Sequence, residues 1–266
     1  MARVFIIGAG VAGCTAAYTL AENGVDVILI EKSDAIGGKA RSYGCKAIDK
    51  CQNCGVCLTG GLWKRVLDNP RIKCKANFEI VDIKGCPGNF EVFAGSLIDP
   101  GDKISENNID AIIVCTGFEV DTKHYSSHLH INISGSAGII TGDRLETMMQ
   151  SRTDTVLFDT ALLDTAPEGV AFIQCVSSRD INESGIYCSR VCCSYTTRIA
   201  KVIRSYYPEC EIVFFYMELQ NVAPGDYYSG LCELDIEFIK CRPVKVSGGK
   251  PAVIEYEDRS GGAYGQ

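Results

Sequence analysis

A set of three glycines near the beginning of the chain constrains the fold more than any other feature. Val4 to Ile7 reads as a short buried strand, a helix is expected from Cys14 to Asn23, and a second strand from Val25 to Ile30 delivers Glu31. Three glycines at G-x-G-x-x-G spacing follow the first strand: Gly8, Gly10 and Gly13. Such glycines let a pyrophosphate approach the helix N-terminus, and the acid reaches the ribose hydroxyls. The pattern predicts a Rossmann-like α/β unit that binds a dinucleotide.

Two further elements favour FAD over NAD as that dinucleotide. Gly37-Gly38 follows Glu31, and an acid followed by paired glycines resembles the pattern of flavoproteins with two dinucleotide-binding domains. Lys32, beside the acid, is included among the expected cofactor-binding residues. A strand that begins at Ile109 ends in Thr116-Gly117, and in flavoproteins of this architecture such a turn packs close to the FAD.

A second strand–loop–helix–strand unit lies in the C-terminal half of the chain. Val170 to Gln174 reads as a buried strand, Ser194 to Tyr207 has helical spacing, and Glu211 to Tyr216 reads as another strand. The loop after the first strand of such a unit lies at the carboxyl edge of the sheet, where ligands bind. This loop lacks the glycines that a phosphate would require.

Four cysteines bracket the loop instead: Cys175, Cys188, Cys192 and Cys193. We expect Cys188 and Cys192, four residues apart, on one face of the opening helical turn. Four thiolates that converge on one crevice satisfy the needs of a [4Fe-4S] cluster, whereas the plainer alternative is buried, inert thiols. Arg179 and Arg190 flank the loop and are candidates to raise the potential of a cluster or to bind a partner, the alternative being solvated surface residues.

Another cysteine motif lies between the two units. Cys51, Cys54 and Cys57 have the C-x2-C-x2-C spacing of the first three ligands of a bacterial-ferredoxin-type cluster. Either Cys45 or Cys74 completes the set, and the spacing does not choose between them. A structural zinc site fits C-x2-C almost as well, and free thiols are the third alternative.

The remaining segments carry weaker signals. Short strands are expected from Asn77 to Ile83 and from Asn89 to Ala94, residues 95–108 read as a loop, and residues 142–150 read as a helix. The spacing H-x3-H-x-H fits a surface loop better than a metal site, since no carboxylate or thiolate lies close by; it comprises His124, His128 and His130.

Composition limits the class of protein. A chain of 266 residues holds two modest domains, which we place at residues 1–150 and 151–266. The net charge of −7 argues against a nucleic-acid partner. The apolar runs are too short to span a bilayer, and no signal peptide is evident, so we expect a cytoplasmic protein. In that compartment 15 cysteines point to metal or redox chemistry rather than disulfides.

About half of the chain resembles the A-type flavin subunits of heterodisulfide reductase and of related redox complexes. The most specific segments are Val170–Asp180, Tyr187–Cys193 and Phe214–Met217. The resemblance also covers Gly8–Glu31, Gly37-Gly38, the Cys51–Cys54 pair, Ile83–Phe90 and Ala111–Phe118. The set Cys175, Cys188, Cys192 and Cys193 matches the non-standard [4Fe-4S] ligands of that family position by position.

The resemblance implies a thioredoxin-reductase-like flavoprotein whose second nucleotide site is replaced by a cluster. It places the FAD pyrophosphate on Gly8, Gly10 and Gly13 and the ribose on Glu31. Electrons would pass between FAD and partner redox subunits through iron–sulfur centres, in an oligomeric complex. The implied partners are ferredoxin-like, heterodisulfide-reductase-like, or hydrogenase or dehydrogenase subunits.

The sequence departs from the family in three places. The inserted ferredoxin domain is absent, the pattern is lost from Asn221 to Gly225, and the C-terminal Gly-Asp segment that contacts the flavin is missing. We therefore expect a short form in which FAD binding is weak or completed by another chain, or a split form of the protein. Two other functions stay open: a flavin-dependent thiol–disulfide oxidoreductase that uses Cys51 and Cys54, and a non-catalytic scaffold stabilised by zinc.

Overall fold

A computed structural model describes residues 1–120, 137–151, 157, 166–176, 178–180, 186–220, 231–258 and 263–265. The chain forms two compact units. The first consists of residues 1–43 and 55–119, and the second of residues 44–54 and 120–266. The three histidines and the stretch from Asn221 to Gly225 lie outside the described residues.

The first unit is built on a four-stranded parallel sheet. In sheet order the strands are β3 (Ile72–Lys75), β2 (Asp26–Ile30), β1 (Arg3–Ile7) and β7 (Ala111–Val114). Helix α1 (Val11–Glu22) connects β1 to β2, and α2 (Val56–Asp68) precedes β3. The predicted strand–glycine loop–helix–strand arrangement is confirmed. Because the strands are parallel, the segments that follow β1 and β7 meet at one edge of the sheet.

Successive residues of the central strands pack on opposite faces of this sheet. Ile6 and Leu29 face the helices, where Ala17 of α1 packs against them. Phe5 and Ile28 lie on the other face, in a second core beneath an antiparallel sheet. Since both faces are covered, β1 and β2 read as continuous apolar runs, which is why the sequence predicts them well.

The antiparallel sheet of this unit corrects one prediction. Its strands are β4 (Phe78–Cys86), β5 (Asn89–Ser96) and β6 (Lys103–Ile109). The prediction of a loop over residues 95–108 is wrong, because β6 pairs with β5 although most of its side chains are polar. Its apolar residues Ile104 and Ile109 pack into the core. Because Ile109 ends β6, the strand expected to begin there starts at Ala111 instead.

The second unit contains a three-stranded parallel sheet. Its order is β10 (Ile236–Ile239), β9 (Glu211–Phe215) and β8 (Gly169–Ile173). Stacked rings cross all three strands: the centroids of Phe172 and Phe214 lie 4.7 Å apart, and those of Phe214 and Phe238 5.2 Å apart. Ile199 and Ile203, fully buried, cover this core from the helix that connects β8 to β9.

That connecting helix, α4 (Cys192–Tyr206), confirms the predicted strand–helix–strand unit. It begins too late, however, to include Cys188 in its opening turn. Cys188 precedes the helix, so its expected place on the opening helical turn is wrong. The reason lies at Arg190, whose φ of +65° is incompatible with a right-handed helix.

The segment 44–54 is held by two helices of the second unit. One is α3 (Gly142–Met148), inside the predicted helix 142–150. Lys46 and Glu146 form a buried ion pair there. From α4, Arg198 Nε donates to the backbone oxygen of Gln52 over 3.0 Å. The cysteine-bearing segment is therefore part of the same unit as α4.

A small antiparallel sheet completes the second unit. Its strands are β11 (Lys245–Ser247), β12 (Val253–Asp258) and β13 (Ala263–Gly265). Across the described part of the chain, no helix is both long and apolar enough to span a bilayer.

Candidate functional site

The glycine loop between β1 and α1 has the shape that a pyrophosphate requires. A Cβ atom at Gly8 would overlap the carbonyl oxygen of Cys115, and one at Gly13 would overlap that of Gly8. At Gly10, the N-cap of α1, no atom lies within 4 Å of the Cβ position. The loop is thus packed closely on its inner side and open beside the helix N-terminus, whose first N–H groups attract anions.

Glu31 is fixed at the end of β2. Its Oε2 accepts a hydrogen bond from the backbone N–H of Ala9 at 2.8 Å, and its Oε1 accepts from the N–H and Oγ of Ser33 at 2.9 and 2.8 Å. A carboxylate has about four acceptor positions, so capacity remains for a ribose hydroxyl. Lys32 is exposed and lies 3.2 Å from Glu79.

The paired glycines lie against the glycine loop. The N–H of Gly37 donates to the carbonyl of Ala9 over 2.7 Å. A Cβ atom at Gly38 would lie 3.0 Å from the Cα of Gly10. Both glycines have positive φ, +117° and +55°, which only glycine adopts freely. Residues predicted from three separate motifs are thereby brought to one place.

The Thr116-Gly117 turn borders the same loop. The N–H of Cys115 donates to the carbonyl of Ile7 over 2.7 Å, and the Cα of Thr116 lies 3.2 Å from the Cβ position of Gly8. The exposed ring of Phe118 lies 5.4 Å from the ammonium of Lys39. The close inner packing, the open helix N-terminus and the oriented acid together fit a dinucleotide such as FAD.

In the second unit, the four loop cysteines interact with one another. Cys175 is buried two residues after β8, and Cys192 and Cys193 open α4. Burial raises the pKa of the Cys175 thiol, the charge of Cys192 raises it further, and Arg179 opposes both. Cys188 contributes a smaller upward effect on the pKa of Cys175.

Cys192 and Cys193 form a hydrogen-bonded pair of thiols whose pKa values shift in opposite directions. A hydrogen bond from the Cys193 thiol lowers the pKa of Cys192 to about 6, aided by Ser189 Oγ and by backbone N–H groups, although burial opposes this. The same hydrogen bond and burial raise the pKa of Cys193. Among the described residues, no group of three or more His, Cys, Asp or Glu side chains is arranged around a common metal position.

Two cysteines in different motifs share one local turn. The N–H of Arg190 donates to Cys188 Sγ at 3.3 Å, and the N–H of Asn53 donates to Cys51 Sγ at 3.4 Å. In each case the donor lies two residues after the cysteine and has positive φ, +65° and +50°. Cys45 also accepts a hydrogen bond, from the N–H of residue 47 at 3.4 Å. Hydrogen bonds to sulfur stabilise the thiolate form that metals bind.

The first cysteine motif is divided between the units. Cys45, Cys51 and Cys54 belong to the second unit, whereas Cys57 lies exposed in the first turn of α2. Cys74 lies in β3 against the apolar core of the first unit, and burial together with the charge of Glu31 raises the pKa of its thiol to about 11.

Arg179 occupies a position that the sequence only partly indicated. Its Nη2 donates to Glu218 Oε2 at 2.9 Å, and its charge acts on the adjacent Cys175. Its Nη1 is buried and has no hydrogen-bond partner among the described residues. A second arginine, Arg242, donates to the buried Asp180 at 2.8 Å. Sequence reasoning missed Glu218 and Arg242, because their partners are distant in the chain.

The chemistry of this loop fits an anionic iron–sulfur cluster. The loop supplies four thiols, which is the number and type of ligand that such a cluster uses, and an N–H group is directed at one of the sulfurs. None of the described cysteines forms a disulfide.

Comparisons with known proteins agree with the glycine loop and with the resemblance. Residues 6–61 match the model of the NAD(P)-binding Rossmann-like domain. An A-type iron–sulfur subunit of CoB–CoM heterodisulfide reductase from Methanopyrus kandleri is 26% identical over 92% of this chain and 48% of its own length. The A-type subunit of the ferredoxin/F(420)H(2)-dependent CoB–CoM heterodisulfide reductase from Methanosarcina acetivorans is 25% identical, over 96% of this chain and 42% of its own. The chain thus spans about half the length of these relatives.

Solved structures agree on the fold. Thioredoxin reductase from Lactococcus lactis matches all of this chain and 74% of its own, with a TM-score of 0.57 and 14% identity. The HOCl-induced flavoprotein disulfide reductase RclA from Escherichia coli matches 98% of this chain and 54% of its own, with a TM-score of 0.51 and 15% identity. The α/β fold is therefore that of thioredoxin-reductase-like flavoproteins, and the predicted resemblance to the A-type subunits of heterodisulfide reductase is confirmed.

Proposed function

We propose that this chain is an electron-transfer subunit of a heterodisulfide-reductase-like redox complex, an oxidoreductase that passes electrons between FAD and [4Fe-4S] clusters. One contrast carries the proposal. The loop after β1 has glycines and an oriented acid, whereas the corresponding loop after β8 has four cysteines and no glycine fingerprint. A chain with this pair of loops is suited to hold one flavin and one metal centre rather than two nucleotides.

The first unit would hold the flavin. Gly8 and Gly13 let the loop pack closely on its inner side, Gly10 leaves room for the pyrophosphate at the start of α1, and Glu31 accepts the ribose hydroxyls. The turns Gly37-Gly38 and Thr116-Gly117 border the same loop, and Lys32 is included because it follows Glu31 in the sequence. FAD, when bound, supplies two-electron and one-electron chemistry.

The second unit would hold a cluster through Cys175, Cys188, Cys192 and Cys193. Ligation requires thiolates, so the proton that Cys193 now donates to Cys192 would have to leave. Burial raises the pKa of Cys175, and the positive charge of Arg179 partly offsets that effect.

On the C-x2-C-x2-C spacing of the sequence alone, Cys51, Cys54 and Cys57 are the proposed ligands of a second metal centre. We assign its fourth position to Cys45 rather than Cys74, because Cys45 is exposed and accepts an N–H hydrogen bond whereas Cys74 is half-buried against an apolar core. Iron–sulfur and zinc remain the two metals to be distinguished there. A zinc-only protein would be a scaffold.

We further propose that the chain acts with partner redox subunits in the cytoplasm. The relatives are named as subunits of ferredoxin-linked or hydrogen-linked heterodisulfide reductases. The number of cysteines supports a reducing compartment.

The test is an anaerobic absorbance spectrum of the purified chain with iron, zinc and flavin quantified. We expect a broad band near ~400 nm that bleaches on reduction, with roughly four irons for each cluster. Cys192→Ser should lose the loop cluster, while Cys86→Ser, an exposed cysteine in the first unit, should keep it. An unchanged Cys192→Ser spectrum would refute the ligand assignment, and flavin without iron would favour a Cys51/Cys54 dithiol enzyme.

A further inference from the structure

We infer that Trp63 is a direct hydrogen-bond donor to bound FAD in the first unit. The inference rests on the proposed flavin site and deepens it by adding a contact that neither the glycine fingerprint nor the cysteine motifs include. Trp63 lies in α2 and is the only tryptophan in the chain.

The indole ring lies directly against Gly37, the first of the paired glycines. A Cβ atom at Gly37 would lie 2.8 Å from both Cε2 and Cζ2 of Trp63. Nε1 is bonded to Cε2, so the N–H group is one bond away from the atom that abuts Gly37. Since the N–H of Gly37 donates to Ala9 and Gly38 packs on Gly10, the indole N–H lies beside the turn that borders the glycine loop.

The indole N–H has no acceptor of its own. Nε1 is buried and has no hydrogen-bond partner among the described residues. Buried tryptophan N–H groups normally find a partner, and an unsatisfied one destabilises the fold. An oxygen of FAD bound beside Gly37 would supply the missing acceptor, whereas an apolar neighbour would leave the donor unpaired.

The position of the indole is fixed by the helix that carries it. Leu62 and Val66 of α2 pack with Trp63 against the core that α1 and the parallel sheet share. The guanidinium of Arg65 lies 5.1 Å from the ring centroid of Tyr18 in α1. These contacts hold α2 on α1, the helix that begins at the glycine loop, so the donor is oriented before a ligand binds.

The experiment uses the complete chain and follows FAD binding by two independent signals. Retained flavin after ultrafiltration reports binding itself, and tryptophan emission reports the surroundings of Trp63 alone. We expect saturable quenching with the same Kd as flavin retention. Trp63→Phe, which keeps an aromatic ring but removes the N–H, should raise that Kd about tenfold, as loss of one buried hydrogen bond predicts.

A matched variant separates this contact from general loosening of the helix. Val66→Ala disturbs the same core from the same helix without touching the N–H group, and its Kd for FAD should equal that of the natural chain. If Trp63→Phe binds FAD with unchanged Kd, the inference is overturned while the flavin site stands. If the natural chain retains no flavin, both the inference and the proposed flavin site fail.

Discussion

The backbone N–H of Arg190 donates a hydrogen bond to Cys188 Sγ over 3.3 Å, from a residue in left-handed conformation. Asn53 repeats this relationship toward Cys51 in a different motif. Because both donors need positive φ, the turn depends on which residue stands two positions after the cysteine. This dependence can be tested without altering any sulfur.

We expect Arg190→Gly to retain the loop cluster and Arg190→Val to lose it readily. Glycine adopts positive φ without strain, whereas an ordinary side chain such as the natural arginine costs about 1–2 kcal/mol there, and a β-branched side chain costs more. We therefore expect roughly tenfold weaker iron retention in the Val variant than in the Gly variant, measured as iron released to a chelator. Arg144→Val, an exposed helical position, is the control. Equal retention in the Gly and Val variants would contradict the role of this turn.

Gly10→Ala should reduce FAD binding without reducing stability. The Cβ position at Gly10 is free of protein atoms, so the variant should unfold at the same temperature as the natural chain. A methyl group on the open side of the loop would, however, obstruct the pyrophosphate, and we expect FAD affinity to fall by an order of magnitude or more. Flavin retention and thermal unfolding are the measurements.

Gly60→Ala is the matched control for that substitution. It lies exposed inside α2 with no atom near its Cβ position, and alanine there should stabilise the helix by about 0.5–1 kcal/mol. Flavin affinity should not change. Unaltered FAD binding by Gly10→Ala would count against the glycine loop as the flavin site.

Arg179→Gln should lower the reduction potential of the loop cluster. The guanidinium acts on Cys175 and is held by Glu218, and a nearby positive charge favours the more negative, reduced state of a cluster. We expect a decrease on the order of 50 mV, close to a tenfold change for a one-electron couple. Redox titration followed by absorbance measures it, and Glu218→Gln should not lower the potential, because the arginine remains and a negative charge is removed.

The control for this effect is Lys245→Gln, which removes a positive charge that lies in an exposed pair on β11. The reduction potential of the loop cluster in this variant should match that in the natural chain. A potential that does not respond to Arg179→Gln would show that the guanidinium is only structural.

Lys46→Met should destabilise the second unit by about 3–5 kcal/mol at neutral pH, because it leaves the Glu146 carboxylate buried without its partner. Burial raises the pKa of Glu146, while Lys46 and Arg198 lower it. A carboxyl whose folded pKa exceeds its unfolded pKa loses stability as pH rises through the folded value. Removing Lys46 raises the folded pKa further, so the variant should weaken more steeply toward neutral pH.

Urea unfolding in mildly acidic and in neutral buffer measures this dependence. The double variant Lys46→Met with Glu146→Leu removes both charges, and it should recover most of the stability and show less change with pH. A single variant with the same pH dependence as the natural chain would refute the assignment of a buried, interacting pair.

The parts of the fold that depend on local pattern were predictable from the sequence. The glycine loop, β1 and β2 followed from apolar runs covered on both faces and from glycines that no other residue can replace. The strand–helix–strand unit with β8 and α4 was predictable from local pattern as well, because Ile199 and Ile203 recur at helical spacing and pack into the core.

Other features were hidden because they depend on strand pairing, backbone angles or distant contacts that the residue types do not indicate. The polar strand β6 is specified by pairing with β5 rather than by its own apolar residues. The positive φ of Arg190 prevents the helix from beginning before Cys192, and an arginine in the sequence does not predict such a backbone angle. The environment of Trp63 depends on Gly37, 26 positions earlier, and the partners Arg179 and Glu218 are 39 residues apart.

The interleaving of the two units affects how the chain can be divided. Residues 44–54 precede most of the first unit but complete the second, and they carry the lysine that neutralises Glu146. A recombinant fragment of residues 120–266 would therefore contain an unneutralised buried acid and fewer cysteines than the intact second unit. A separate polypeptide of residues 1–119 would supply Lys46 and the missing cysteines. The two fragments should therefore complement each other in trans.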